Sequence, residues 1–232
     1  MLTPLLIAAI VGYLLGSLPF GYLVARAKGV NIFEVGSKSS GATNVRRVLG
    51  SGPGYLVFLL DALKGACAAG WPLVVARGWS SSGDSFAAGT SITTMAIGDF
   101  TLFDYQAVAA MGVAGLFGAL VGHSFSCFTK FKGGKGVATG AGGFAVLFPW
   151  GALIALAAFA LVLAATRYVS LGSMVAAVTL PVSAWLLGRS NLIIGVSVAV
   201  AVFVVLRHRA NISRLLAGTE SKIGRKPTAS QP

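Results

Sequence analysis

In the stretch FKGGKGVATGAGG, Phe131 to Gly143, Lys132 and Lys135 alternate with Gly133, Gly134 and Gly136, and no acid is present. Glycine lets the backbone come close to a ligand, and two ammonium groups beside it favour an anion. A helix is expected to open at Val137, and its first N–H groups, lacking intrahelical partners, favour an anion as well. The chemistry is that of a phosphate cradle. It is not a nucleotide P-loop, because the order GGKGVAT does not follow GxxxxGK[ST] and no Walker aspartate comes after it.

Two further clusters have compatible chemistry. VGSKSSGATNVRR, Val35 to Arg47, places Ser37, Ser39, Ser40, Thr43 and Asn44 around Gly36 and Gly41, then ends in Arg46 and Arg47. Small hydroxyl residues and glycine let backbone N–H groups converge on an anion, and arginine adds a planar fork suited to phosphate oxygens. RHRANISRLLAGTESKIG, Arg207 to Gly224, spaces His208, Asn211 and Arg214 three apart, on one face of a helix. Ser170 and Ser173 follow Arg167. Asp61 and Lys64 stand at i,i+3 within an apolar segment, where pairing is the simplest way to tolerate both charges. No Ser-His-Asp set accompanies these clusters, and Cys67 and Cys127 lie in apolar runs, where buried, inert thiols are expected. No metal-ligand spacing occurs.

The elements that position these residues are membrane spans. The chain has 232 residues, 56% of them hydrophobic, and only 10% are charged, whereas a soluble domain carries about 25%. Apolar segments fall at 3–25, 55–76, 107–128, 137–148, 151–166, 169–187 and 192–206. The fourth is short, at about 18 Å against a hydrocarbon core of roughly 30 Å, and is read as a broken or partial span beside a polar cavity. The fold expected is an all-α integral membrane protein, a polytopic bundle of about seven transmembrane helices forming one domain over 1–232. An external loop with little structure is expected at 80–106 and a frayed tail at 226–232. The net charge is +12, and 15 of the 18 lysines and arginines fall on one side of this arrangement. Positive-inside logic makes that side cytoplasmic and puts the N-terminus outside and the C-terminus inside. Spans this apolar argue against a nucleic-acid partner despite the charge. All three polar clusters lie on the cytoplasmic side and are expected to make one site.

Taken in order, GSLPFGYL, GSKSSGATNVRRVLG, DALKG, GHSFSCFTKFKGGKGVAT, TRYVSLGS and RHRANISRLLAGTESKIG resemble the bacterial acyl-phosphate:glycerol-3-phosphate acyltransferase (PlsY) family from Gly16 to Gly224. The resemblance implies a seven-span helical bundle in the bacterial inner membrane. It implies transfer of a fatty acyl group from acyl phosphate to the 1-hydroxyl of sn-glycerol 3-phosphate, giving lysophosphatidic acid and phosphate, the first acylation of phospholipid synthesis. It also implies that Ser37, Arg47, Lys135, His208 and Asn211 act in catalysis. Thr43, Asn44, Gly133, Gly134, Gly136 and Ser173 would bind substrate phosphate. No cofactor or metal is implied. The partners implied are glycerol 3-phosphate, acyl phosphate, membrane lipid and the enzyme that makes acyl phosphate. The sequence departs from the family pattern at Lys38–Ser39–Ser40, where Gly-Asn-Pro is usual, at Phe33, where arginine is usual, and at Ser126, where proline is usual.

A transporter or binding protein for a phosphorylated solute would also use a broken helix and a basic site, but no convincing internal repeat supports it. A basic lipid-binding scaffold is a third reading, and it has no need of a glycine loop feeding a helix.

Overall fold

The computed structural model describes residues 2–80, 95–97, 100–103 and 105–224. Its helices are α1 (Leu2–Ser17), α2 (Phe20–Arg26), α3 (Ala42–Leu49), α4 (Ser51–Ser80), α5 (Tyr105–Ser124), α6 (Val137–Leu147), α7 (Pro149–Thr166), α8 (Val169–Leu186), α9 (Asn191–Arg207) and α10 (Arg209–Leu216). Among the described residues, five segments are long and apolar enough to cross a membrane: Leu2–Arg26, Ser51–Val75, Gln106–Thr129, Pro149–Thr166 and Val169–Leu186. The bent pair α9–α10, with 59° between its helices, would make a sixth. Helix α6 has 11 residues, a rise of about 17 Å, and is the short element expected from the sequence. Large apolar side chains such as Leu161, Trp185 and Leu156 are exposed on the helix surfaces, as suits a chain whose surroundings are hydrocarbon. The architecture is that of a multi-pass helical membrane protein.

The stretch expected to hold little structure contains a short hairpin, β1 (Met95–Ile97) and β2 (Phe100–Phe103). The strands are antiparallel, with Ile97 opposite Phe100 and Met95 opposite Phe103. Ile97, Phe100 and Phe103 are β-prone residue types. The 226–232 tail lies outside the described residues.

The chain forms two compact units, Met1–Pro149 and Trp150–Pro232. They divide at the start of α7, Pro149–Trp150, where proline's missing N–H costs nothing at a helix start.

In the first unit, helix association relies on small residues. A Cβ added at Gly12 would lie 2.1 Å from the Gly115 carbonyl oxygen, and one at Gly16 2.2 Å from that of Ala119. From the other side, Cβ atoms at Gly118 and Gly122 would meet the Ala9 and Tyr13 carbonyl oxygens. Helices α1 and α5 therefore touch backbone to backbone, the usual means of association where lipid removes the hydrophobic drive between helices. Helices α4 and α6 do the same, with Gly65 against Thr139 and Gly142 against Ala62. In the second unit α8 packs on α9.

Cys67 and Cys127 are free and exposed, correcting the expectation of buried thiols. In a membrane span the outward face is as apolar as the core, so hydropathy alone does not separate lipid-facing from buried positions.

Candidate functional site

The first unit carries two of the three clusters. Residues 32–41 form a loop organised by Asn44 at the start of α3. Its side chain is buried; Nδ2 faces the carbonyls of Ile32 at 3.3 Å, Val35 at 3.1 Å and Ser39 at 2.9 Å, while Oδ1 accepts from the Ser37 N–H at 2.8 Å. Gly36, at φ 59°, leaves room for that amide, since a Cβ there would lie 2.3 Å from Asn44 Oδ1. Asn44 thus shapes the loop around Ser37, a role the expectation of phosphate contact did not foresee. Ser37 itself is exposed, with its hydroxyl 3.3 Å from that of Ser39. The usual asparagine at position 39 is therefore replaced by a hydroxyl that pairs with Ser37.

The two arginines have different settings. Arg46 lies over the Tyr55 ring, 5.5 Å from its centroid, and packs against Gly54. Arg47 and Thr43 are exposed. Of the pair, Arg47 is the one available to a ligand. Phe33, where arginine is usual in the family, stacks on Tyr22 with centroids 5.7 Å apart, beside the apolar cluster of Ala25, Ile32, Val45 and Val57. Its role here is packing.

The glycine loop is held at the end of α5. The Gly134 N–H donates to the His123 carbonyl at 3.1 Å. Gly133 and Gly134 fit so closely against that residue that added Cβ atoms would lie 2.1 Å from His123 O and 2.1 Å from His123 Nε2 respectively. Gly136, at φ 80°, takes the left-handed conformation that turns the chain into α6. Neither α6 nor α3 has a side chain capping its N-terminus, so the orphan donors of both first turns suit an anion. Lys135 is half-buried, while Lys130 and Lys132 are exposed. Lys38, Lys130 and Phe131 hold left-handed backbone angles, a strain of about 1–3 kcal/mol each that the surrounding fold has to sustain.

The two loops meet. A Cβ built on Gly41, the residue preceding α3, would lie 4.0 Å from the Cα of Gly134. Ser40 and Lys132 border one narrow crevice, too small to hold a water, together with Asp61, Lys64 and His123. Asp61 and Lys64 form the expected i,i+3 ion pair at 2.8 Å, both buried, and His123 Nδ1 lies 3.5 Å from Asp61 Oδ1. Lys64 Nζ also donates to the Leu18 carbonyl at 2.9 Å, in the break between α1 and α2.

The third cluster belongs to the second unit, and its centre is Glu220. That buried carboxylate accepts from Ser170 Oγ at 2.8 Å, Asn211 Nδ2 at 2.7 Å and Arg214 Nε at 2.7 Å. Burial opposes its ionisation, but the hydrogen bonds from Asn211, Ser170 and Arg214, with the charge of Arg214, outweigh burial and hold the carboxyl below its ordinary value of 4.5. Of the expected site residues in this unit, Asn211 is part of the network. His208 is buried at the α9–α10 bend with Nδ1 2.7 Å from the Val204 carbonyl. Ser173 is buried and donates to the Val169 carbonyl at 2.8 Å. Arg167, at φ 64°, donates to the Ile223 carbonyl and accepts from the Ile223 N–H, fastening the chain beyond α10 to the turn before α8. The role of Glu220 is not legible in the sequence because its partners stand 6, 9 and 50 residues away. The signal available was that a lone acid among many cations would be drawn into pairing.

A membrane-spanning helical fold with two abutting glycine-containing loops, two uncapped helix starts and arginine and lysine beside them defines a polytopic membrane protein equipped to hold a phosphate group. A family model described as glycerol-3-phosphate acyltransferase matches residues 6–218. The glycerol-3-phosphate acyltransferase of Fusobacterium nucleatum is 41% identical over 211 residues, covering 90% of this chain and 93% of its own. That of Geobacter sulfurreducens is 41% identical over 222 residues, covering 96% and 98%. The crystal structure of PlsY (YgiH), an integral membrane glycerol 3-phosphate acyltransferase, in its glycerol 3-phosphate form superposes with a TM-score of 0.76 at 33% identity, covering 95% of this chain and 96% of that one. Its lysophosphatidic acid form gives 0.74 at the same identity. The chain belongs to the glycerol-3-phosphate acyltransferase family.

Proposed function

We propose that this chain, acting as one acyltransferase, moves a fatty acyl group from acyl phosphate to the 1-hydroxyl of sn-glycerol 3-phosphate. The products are lysophosphatidic acid and inorganic phosphate. The observation that carries the reading is the contact of the Gly41 and Gly134 loops, each leading into an uncapped helix. Both substrates are phosphates, and two adjoining anion-favouring helix starts suit a reaction that brings two phosphates together. The forms of the solved relative named for glycerol 3-phosphate and lysophosphatidic acid support the acceptor and product. By the family resemblance Ser37, Arg47 and Lys135 serve the reaction, and Ser173, His208 and Asn211 are proposed as reaction residues on that resemblance alone.

Acyl phosphate is an activated mixed anhydride. The glycerol hydroxyl oxygen bonds to the carbonyl carbon, the carbon–oxygen bond to phosphate breaks, and phosphate leaves with the electron pair. The carboxylate on these loops, Glu34, is exposed and accepts from Asn31 Nδ2, and the base in this reading is a substrate phosphate oxygen, which takes the hydroxyl proton. What remains is positioning and charge stabilisation, to which Lys135, Arg47 and the helix-start N–H groups are suited. No covalent enzyme intermediate is required.

The protein is placed by this reading in the bacterial inner membrane with seven crossings, counting α6 and α9. The N-terminus is outside and the two loops face the cytoplasm, where glycerol 3-phosphate is found.

The test is purified protein supplied with acyl phosphate and glycerol 3-phosphate. Phosphate is released in step with lysophosphatidic acid, and Lys135→Ala lowers turnover by about 2–4 kcal/mol of transition-state stabilisation without reducing membrane insertion. Robust transfer from acyl-CoA in the absence of acyl phosphate overturns the donor, and near-wild-type turnover of Lys135→Ala overturns the role of the lysine.

A further inference from the structure

Beneath the two loops lies a chain of buried charge that the proposed reaction does not use. Asp61 is 2% exposed, Lys64 5% and His123 6%. Lys64 reaches one way, donating to the Leu18 carbonyl in the α1–α2 break. That break leads into Gly21, whose Cα lies against the Ser40 carbonyl so closely that a Cβ would be 1.7 Å from its oxygen. Ser40 precedes Gly41 of the first loop. His123 reaches the other way: Nδ1 is 3.5 Å from Asp61, and Nε2 abuts Gly134 of the second loop. One carboxylate thus has a partner leading to each loop. A salt bridge meant only to neutralise two charges in a span has no need of a histidine whose far edge touches a glycine of the site.

We infer that Asp61 is a positioning residue: through Lys64 and His123 it sets the spacing of the Gly41 and Gly134 loops, and so the fit of the acceptor phosphate. The role rests on the reaction proposed above, so the test has one arm that does not depend on catalysis. In lipid nanodiscs, Asp61→Asn and His123→Asn are compared with wild type by backbone hydrogen exchange and by steady-state kinetics. Exchange in peptides covering 39–44 and 133–137 rises in both variants, while the interior of α1 and α5 stays protected. The KM for glycerol 3-phosphate rises at least tenfold with kcat changed much less, and the double variant is no worse than the worse single one, as expected for residues acting through one linkage. A residue with a merely structural role would reduce the folded fraction and leave the KM of the remainder intact. Where Asp61→Asn fails to fold, Asp61→Asn with Lys64→Gln removes both charges and is read in the same way. Altered loop exchange in a protein whose wild type does not acylate glycerol 3-phosphate keeps the positioning role and rejects the reaction. Unchanged loop exchange, or additive KM effects, overturns the positioning role whatever the activity.

Discussion

Asp61 in the first unit and Glu220 in the second are both buried carboxylates, yet they solve different problems. Asp61 lies within a span and is matched by a lysine one helical turn along, with a histidine from another helix. Glu220 lies beyond α10 and gathers two neutral donors and an arginine that is 40% exposed. The first arrangement is compulsory, because a lone charge in hydrocarbon is costly and each partner makes the other tolerable. The second is constructive: its hydrogen bonds draw the chain after α10 back to the start of α8. Neutralising charge and closing a fold are thus separate uses of the same functional group.

The sharpest break comes from Lys64→Met, which leaves Asp61 buried without its lysine. A loss on the order of 3–5 kcal/mol is expected, seen as a collapse in the yield of folded protein from membranes. A normal yield would remove the distinction between a compulsory and a constructive carboxylate.

Glu220→Gln comes next. The glutamine retains the shape but presents a donor where an acceptor was needed, at a cost of about 2–3 kcal/mol, read as a lower thermal midpoint in detergent. The pH dependence sharpens the same point. The folded Glu220 carboxyl titrates below 4.5, so its stabilisation is complete above that pH and is lost as the pH falls through the lowered folded value. Wild type should lose stability over that acid window, whereas Glu220→Gln should lack this component.

The smallest expected effect is at Ser126. Its hydroxyl donates to the Ser17 carbonyl at 2.6 Å and accepts from the Phe128 N–H, capping the turn Cys127–Thr129. Ser126→Ala should cost about 1 kcal/mol, and a neutral result in thermal melts would show that the turn is held by its neighbours.

Local periodicity made part of this legible. The Asp61–Lys64 pair and the short helix after GGKG are features of neighbouring residues, and each appears as expected. What escaped is set by contacts distant in sequence. Asn44 binds a loop that begins twelve residues earlier, His123 meets Asp61 from another helix, and Glu220 meets Ser170 across fifty positions. The outward face of the thiols escaped for another reason: when solvent and core are both apolar, patterning carries no sign of which is which. The hydroxyl at Ser126, a departure from the family's proline, acquires its meaning only when Ser17 is seen beside it.

The fastening of Glu220 and Ile223 onto Ser170 and Arg167 also has a bearing on biosynthesis. Every described helix of the second unit precedes Glu220 in the chain, so the ribosome delivers the clasp after the parts it secures. A nascent chain interrupted just past α10 would have made α7 to α10 and still have Ser170, Asn211 and Arg214 waiting for a carboxylate. Such a truncated product would be inserted yet unfinished, and membrane quality control could tell it from the completed protein by one missing acid.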